Sequence, residues 1–83
     1  MVRYKAGYKF VEGGVHAQVL DLPAAITCGQ DLDEARRMLA SALIDVTQTR
    51  LGLGQPLPLP NPHATDPEMD MEEPLYLPGV VVP

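Results

Sequence analysis

Few residues of this 83-residue chain could carry out chemistry, and their spacing does not favour a catalytic centre. His16 and His63 lie far apart in the sequence, and a metal site or an acid–base pair would need both. Cys28 is the single cysteine, so it cannot form an intramolecular disulfide, and we expect it to fill a corner between a strand and a helix. We therefore predict no catalytic residue, no bound metal and no cofactor, and we do not expect an enzyme.

The carboxylates Asp21, Asp31, Asp33 and Glu34 are close together in the sequence and form a second candidate site. Two-metal nucleases hold their ions with carboxylates of this kind. Asp31 and Glu34, however, have the spacing of a helix capping box, in which the first side chain accepts from first-turn amides and the second reaches back. Too few carboxylates remain to bind two metal ions, so we keep a degenerate metal-dependent nuclease only as an alternative hypothesis for the function.

Alternating residues predict a sheet before this capping box. Val2 to Phe10 alternates without exception, with Val2, Tyr4, Ala6, Tyr8 and Phe10 on the face that we expect to be buried. Two glycines after Glu12 favour a tight hairpin into a second strand over residues 15–19. Asp21, Leu22 and Pro23 then break the ladder, and a short third strand over residues 25–28 ends at Gly29.

A helix follows from Asp31, with an apolar stripe at steps of three and four residues. The stripe consists of Leu32, Ala35, Met38, Leu39, Ala42, Leu43 and Val46. Asp33 and Arg37 are four residues apart and could pair on the outer face. Gly52 or Gly54 should end the helix. The predicted fold class is α+β, with a three-stranded antiparallel meander in one layer and the helix in the other.

Charge divides the chain at about residue 50. Residues 1–50 hold six Lys and Arg and six Asp and Glu, whereas residues 51–83 hold five acids and no base, so the net charge of −5 belongs to the last 33 residues. Eight of the nine prolines also lie there. We divide the chain into a body over residues 1–54, a proline-rich and acidic linker over 55–74, and a returning fourth strand over 75–83, with its centre at Val80–Val82.

The acidic run from Asp66 to Glu73 has two readings. It can be a solvated loop that aids solubility, or it can dock on a basic partner and raise the rate of association. The scattered bases argue against direct binding of nucleic acid. The absence of a signal-peptide pattern and of long apolar runs predicts a cytoplasmic protein that does not enter membranes. Free sheet edges predict a homodimer or a higher homo-oligomer.

The order of these motifs resembles that of the HicB-like antitoxins of type II toxin–antitoxin systems. Members show Asp-Leu-Pro-Gly-Cys, a short strand to a glycine, a helix opening Leu-Glu-Glu-Ala, and Gly-Glu-Pro-Ile-Pro after the helix. The matching segments here are Asp21–Pro23, Ile26–Gly29, Leu32–Ala35 and Gly54–Pro58. The resemblance covers about residues 2–60, although Ala24 and Ala25 replace the usual Gly-Cys.

The resemblance implies a partial RNase H-like fold of order β-β-β-α-β and a role in masking a small basic HicA-type mRNA interferase. Many members continue into a DNA-binding module; this chain ends at Pro83, so we expect no direct DNA binding by it. The candidate contact residues are the helix residues Arg36, Arg37 and Ser41 and the tail acids Asp66, Glu68, Asp70, Glu72 and Glu73. An orphan domain that associates only with itself is a further alternative.

Overall fold

Four antiparallel strands form one sheet, and a long helix lies across one of its faces. The computed structural model describes residues 2–77. The elements are β1 (Val2–Val11), β2 (Gly14–Val19), β3 (Ile26–Gly29), α1 (Leu32–Gly52) and β4 (Met71–Leu77). The strand order β3-β2-β1-β4 confirms the predicted α+β fold with a returning fourth strand. The predicted strand centre at Val80–Val82 lies outside the described residues.

The core lies between α1 and one face of the sheet. The alternating apolar residues of β1 are buried as predicted as far as Tyr8, but Phe10 is 50% exposed. β4 stops pairing with β1 at Tyr8, so Phe10 has a neighbouring strand on one side only. The alternation correctly indicated which face points inward, but it could not indicate where the covering elements end.

Both ends of α1 follow the predicted signals. The Glu34 amide donates to Asp31 Oδ1 at 2.8 Å, and Glu34 Oε1 accepts from the Gln30 amide at 3.0 Å, so the capping box is formed. α1 ends at Gly52, and Gly54 has a φ of 73°, a backbone conformation that favours glycine. The cap therefore fixes where the helix begins, directly after the end of β3.

The buried stripe of α1 advances in steps of four residues, through Ala35, Leu39, Leu43 and Thr47. The Thr47 hydroxyl is within hydrogen-bonding distance of Leu43 O at 2.8 Å, which lets this polar side chain lie in the core. Met38, which we predicted to join the stripe, is 48% exposed. Steps of four turn the stripe away from position 38, which lies on a flank of the helix.

The fourth strand begins at Met71, within the segment predicted to be linker. Two consecutive glutamates, Glu72 and Glu73, can lie in this strand because Lys5 and Arg36 form ion pairs with them. Pro74 is opposite Lys5, whose amide donates to Asp21 on the other side of β1. In an antiparallel ladder, two residues opposite each other either both direct their N–H groups toward the partner strand or both direct them away. Because the Lys5 amide points away from β4, the nitrogen of Pro74 points to the free edge, where a missing N–H costs no ladder hydrogen bond.

The segment between α1 and β4 crosses the sheet face that the helix leaves open. We call residues 55–70 the strap. Lys5 Nζ donates to Pro62 O at 3.2 Å and to Ala64 O at 2.6 Å, and the Asn61 amide donates to Asp21 Oδ1 at 2.8 Å. These polar contacts bind the middle of the strap, while Leu57 near its start packs against the core and Met69 near its end lies against Gly7. No helix within residues 2–77 is long and apolar enough to cross a membrane.

Candidate interaction surface

One end of the sheet collects carboxylates from three separate segments of the chain. The β1–β2 hairpin, the start of α1, the end of the strap and the start of β4 all lie at this end, because the strands are antiparallel. We call its carboxylates the acidic end: Glu12, Asp31, Asp33, Glu34, Glu68 and Asp70. Most of them are exposed. A surface of this charge attracts a basic partner and accelerates its encounter.

The tail acids, predicted as one docking run, divide into two groups. Glu72 Oε2 accepts from the Thr65 hydroxyl at 2.8 Å and from the Asp66 amide at 2.9 Å, and Asp70 Oδ2 accepts from the Phe10 amide at 2.7 Å. Asp66 in turn caps its own turn by accepting from the Glu68 amide. Among the five tail acids, only Glu68 has a carboxylate that accepts no hydrogen bond within residues 2–77. Most of the run therefore holds the strap and β4 in place.

Arg36 and Glu73 form the strongest ion pair between the helix and the sheet. Arg36 Nε and Nη2 donate to the two carboxylate oxygens of Glu73 at 2.8 and 3.0 Å, a bidentate geometry. Arg36 also lies 3.7 Å from Asp33, whereas Arg37, the predicted partner of Asp33, forms no ion pair within residues 2–77. Asp33 therefore pairs with Arg36, three residues later, and not with Arg37, because Arg36 lies on the side of α1 that faces β4.

Tyr8, in the neighbouring strand β1, contacts the Arg36–Glu73 pair through its hydroxyl. Its ring is buried, and burial together with a hydrogen bond to Glu73 raises the pKa of its hydroxyl far above the ordinary value. The hydrogen bond from Arg36 lowers the pKa of the Glu73 carboxyl below its ordinary range, and the Asp66 amide and Thr65 hydroxyl do the same for Glu72. The charged forms of Glu72 and Glu73 therefore stabilise the folded state.

We expect the stability of the fold to decrease in acid because of these two glutamates. Their pKa values are lowered in the folded state, so their contribution is complete above the unfolded pKa near 4.5 and is lost as the pH falls through the folded values. Urea unfolding measured from pH 7 to pH 3 should show this decrease. The double variant Glu72→Gln, Glu73→Gln should have a smaller pH dependence, and Asp45→Asn, on an exposed site, should retain the full one. An equal slope in all three proteins would contradict the assignment.

The outer face of α1 presents the other predicted contact residues. Arg37 and Ser41 are exposed one turn apart, and Gln48 continues the same face. Arg36 is not part of this surface, because its guanidinium is held by Glu73. The helix face therefore offers a partner one positive charge, small polar groups and the exposed side chain of Ile44.

The predicted structural motif has a defined role at each position. Asp21 accepts from the Lys5 amide at 2.9 Å and from the Asn61 amide, so it joins β1 to the strap. Leu22 is buried, and Pro23 O accepts from the side chain of Gln18. At Gly29 an added Cβ would lie 2.5 Å from the Ala35 nitrogen, so only glycine lets β3 approach the start of α1 this closely.

The residues that could bind a metal remain apart. Within residues 2–77 no group of three His, Cys, Asp or Glu side chains comes close enough to hold an ion. His16 and His63 are both exposed. Cys28 is exposed as well, which corrects the prediction that it fills a corner between sheet and helix. Its side chain points to the open face of the edge strand β3, and Gly29 occupies the corner instead.

A groove of about 700 Å³ runs between the strap and the β1–β4 pair. Arg3 and Lys5 line one wall, Pro60 and Pro62 the other, and Pro74 lies at its rim. Lys5 is already bound to strap carbonyls and to Glu72, which leaves Arg3 as the charge that could meet a ligand. Asn61, Glu72 and Glu73 also line the groove, but their side chains or backbone are engaged in contacts within the fold.

Sequence reasoning missed Glu12, Lys5 and Tyr8. The turn pattern predicts the hairpin that carries Glu12 but not that the hairpin lies beside the other carboxylates of the acidic end. The strand pattern predicts the positions of Lys5 and Tyr8 but not that they hold the strap and the Arg36–Glu73 pair. No local signal could have revealed the roles of Lys5 and Tyr8, since each depends on a contact more than fifty residues away in the sequence. The chain matches no known protein-family model, and no curated protein is significantly similar to it.

Proposed function

We propose that this chain is an antitoxin-type binding domain, similar to HicB, that masks a small basic mRNA interferase by protein–protein contact. The observation that carries the proposal is the acidic end, where carboxylates of the hairpin, the start of α1 and the end of the strap form one surface. A ribonuclease that binds RNA must expose basic groups, which such a surface would attract and cover. The contact needs no catalytic group on this chain.

The resemblance to HicB-like proteins supports the same partner class independently of charge. Its motifs occupy positions with clear physical tasks, since Asp21 holds the strap, Gly29 admits the helix and Asp31 caps it. The exposed helix face around Arg37 and Ser41 would extend the contact beyond the carboxylates. The acidic end then directs the encounter, and the helix face contributes specific contacts.

The proposal predicts that a short basic chain is encoded next to this one, and the direct test uses that chain. We expect an equimolar amount of the present protein to stop RNA cleavage by that chain and to form a stable complex with it. RNA cleavage by the present protein alone, with Mg²⁺ or Mn²⁺, would instead identify a nuclease. Undiminished cleavage by the basic chain, without complex formation, would exclude the proposed pair.

Charge variants test which surface carries the encounter. Glu12→Gln and Glu68→Gln each remove one exposed carboxylate that accepts no hydrogen bond within residues 2–77, so the fold should be unaffected. We expect each to lower the association rate at low salt by about threefold, and less at high salt. Asp45→Asn is the matched control, because Asp45 is exposed on the distal half of α1. Equal rates for all three variants and the parent would exclude the acidic end.

A further inference from the structure

The two edges of the sheet differ in how they are protected. At the β4 edge, Pro74 turns its nitrogen outward and two glutamates precede it, a combination that discourages pairing with another strand. The β3 edge has no proline, and residues 22–30, which include it, carry no charge. Within the described part of the chain, residues 2–77, the edge is protected only by its short length.

The hydrogen-bonding groups at the β3 edge can be assigned from its pairing with β2. The Val19 amide donates to Ala25 O at 2.9 Å, so Ala25 faces β2, and alternation gives the same direction to Thr27 and Gly29. The N–H and C=O groups of Ile26 and Cys28 therefore point away from the sheet. Within residues 2–77 no strand pairs with them.

Apolar side chains that the fold does not bury lie on both faces beside this edge. Ile26 is 60% exposed on the open face. On the helix face, a shallow depression is lined by Ala24, Asp45 and Thr49, which shows that this flank of α1 faces the β3 side. Met38, seven residues before Asp45 and 48% exposed, lies on the same flank.

We propose that the β3 edge is the contact surface for a second copy of this chain, paired antiparallel about a two-fold axis at Thr27. In this register the backbone N–H and C=O groups of Ile26 form hydrogen bonds with those of the partner's Cys28. The two-fold axis repeats the same pair of hydrogen bonds between the partner's Ile26 and Cys28 of the first copy. Each Ile26 side chain then packs beside a Cys28 side chain, and the exposed flanks of the two α1 helices lie side by side.

The charge distribution favours a second copy as the occupant. Two molecules of net charge −5 repel each other least where their surfaces carry no excess of negative charge; residues 22–30 carry no charge, and Asp45 and Arg50 on the adjoining flank have opposite signs. The antiparallel arrangement also directs the two acidic ends to opposite sides of the dimer. The surface proposed for a basic partner therefore stays free, and the two inferences can fail separately.

Sedimentation over a wide concentration range tests the dimer, with two variants that add the same charge. Ile26→Lys places a lysine at the proposed contact, and Leu59→Lys is the matched control, because Leu59 is 72% exposed on the strap. We expect the parent and Leu59→Lys to dimerise and the dissociation constant of Ile26→Lys to be at least about tenfold higher. A parent that stays monomeric, or equal weakening by both variants, would overturn the proposal.

Amide hydrogen exchange tests the pairing itself. The Ile26 and Cys28 amides should exchange at least about tenfold more slowly at concentrations where the dimer forms than in dilute protein. Fast exchange of both amides in the dimer would place the contact on another surface. Protection that does not depend on concentration would mean that another part of the same chain covers the edge. Either result would refute the β3 pairing.

Discussion

Gly29→Ala should destabilise the fold by about 2–4 kcal/mol, because the added methyl group has no room. Its carbon would lie 2.5 Å from the Ala35 nitrogen and 2.9 Å from the Ala35 Cα, which are backbone atoms that cannot rotate away. The start of α1 or the end of β3 must therefore move. Since Asp31 and Glu34 cap the helix at this point, the movement would also disturb the capping hydrogen bonds.

Thermal unfolding followed by circular dichroism measures this effect. For a domain of this size the midpoint should fall on the order of 10–20 °C. Gly52→Ala is the matched control, since nothing lies within 4 Å of a Cβ at that position near the end of α1, and it should be neutral or slightly stabilising. A midpoint for Gly29→Ala equal to that of the control would show that the strand and helix can separate without loss.

Asp21→Ala should cost about 2–3 kcal/mol, because two backbone amides lose their charged acceptor. The Lys5 amide lies within the sheet, and the Asn61 amide lies in the strap, so the substitution weakens the contact between them. The carboxylate also contributes, after burial, to the raised pKa of Tyr4, whose hydroxyl donates to Pro58 O in the strap. We expect the strap to detach from the open face more often than in the parent protein.

Urea unfolding gives the loss of stability, and hydrogen exchange locates it. The Lys5 and Asn61 amides should exchange faster in Asp21→Ala, while amides in the middle of α1 should change only as far as global stability does. Asp21→Asn retains one acceptor oxygen and should recover part of the loss. Asp45→Ala, on an exposed part of α1, should change little. Unchanged exchange at Asn61 would mean that other contacts hold the strap by themselves.

Prediction of the body succeeded where the signal is local. A strand pattern of period two, a glycine pair, a capping box and an apolar stripe each depend on residues a few positions apart, and all four correspond to elements of the structure. The failures at Phe10, Met38 and Cys28 share one cause. Each is an apolar or small residue in a regular element whose burial depends on whether a distant element reaches it.

The candidate site was predicted less well than the body, because the sequence does not show which charged side chains are paired within the fold and which remain exposed at the surface. The tail acids formed a conspicuous run, yet Glu72 and Glu73 are paired with Lys5 and Arg36. Glu12 and Asp33, which belong to the electrically neutral first fifty residues, are exposed at the acidic end instead. The available negative charge is therefore distributed differently in space from its distribution along the chain.

The order of the elements, the inward face of each and the helix start at Asp31 can be predicted from the chain alone, since backbone geometry and side-chain spacing decide these locally. Where β4 begins, which carboxylates remain available and which strands form the sheet edges emerge only in the folded molecule. These features depend on pairings such as Arg36 with Glu73 and Asp21 with Asn61. Such contacts join residues about forty positions apart, and their free energy exists only once the chain has brought them together.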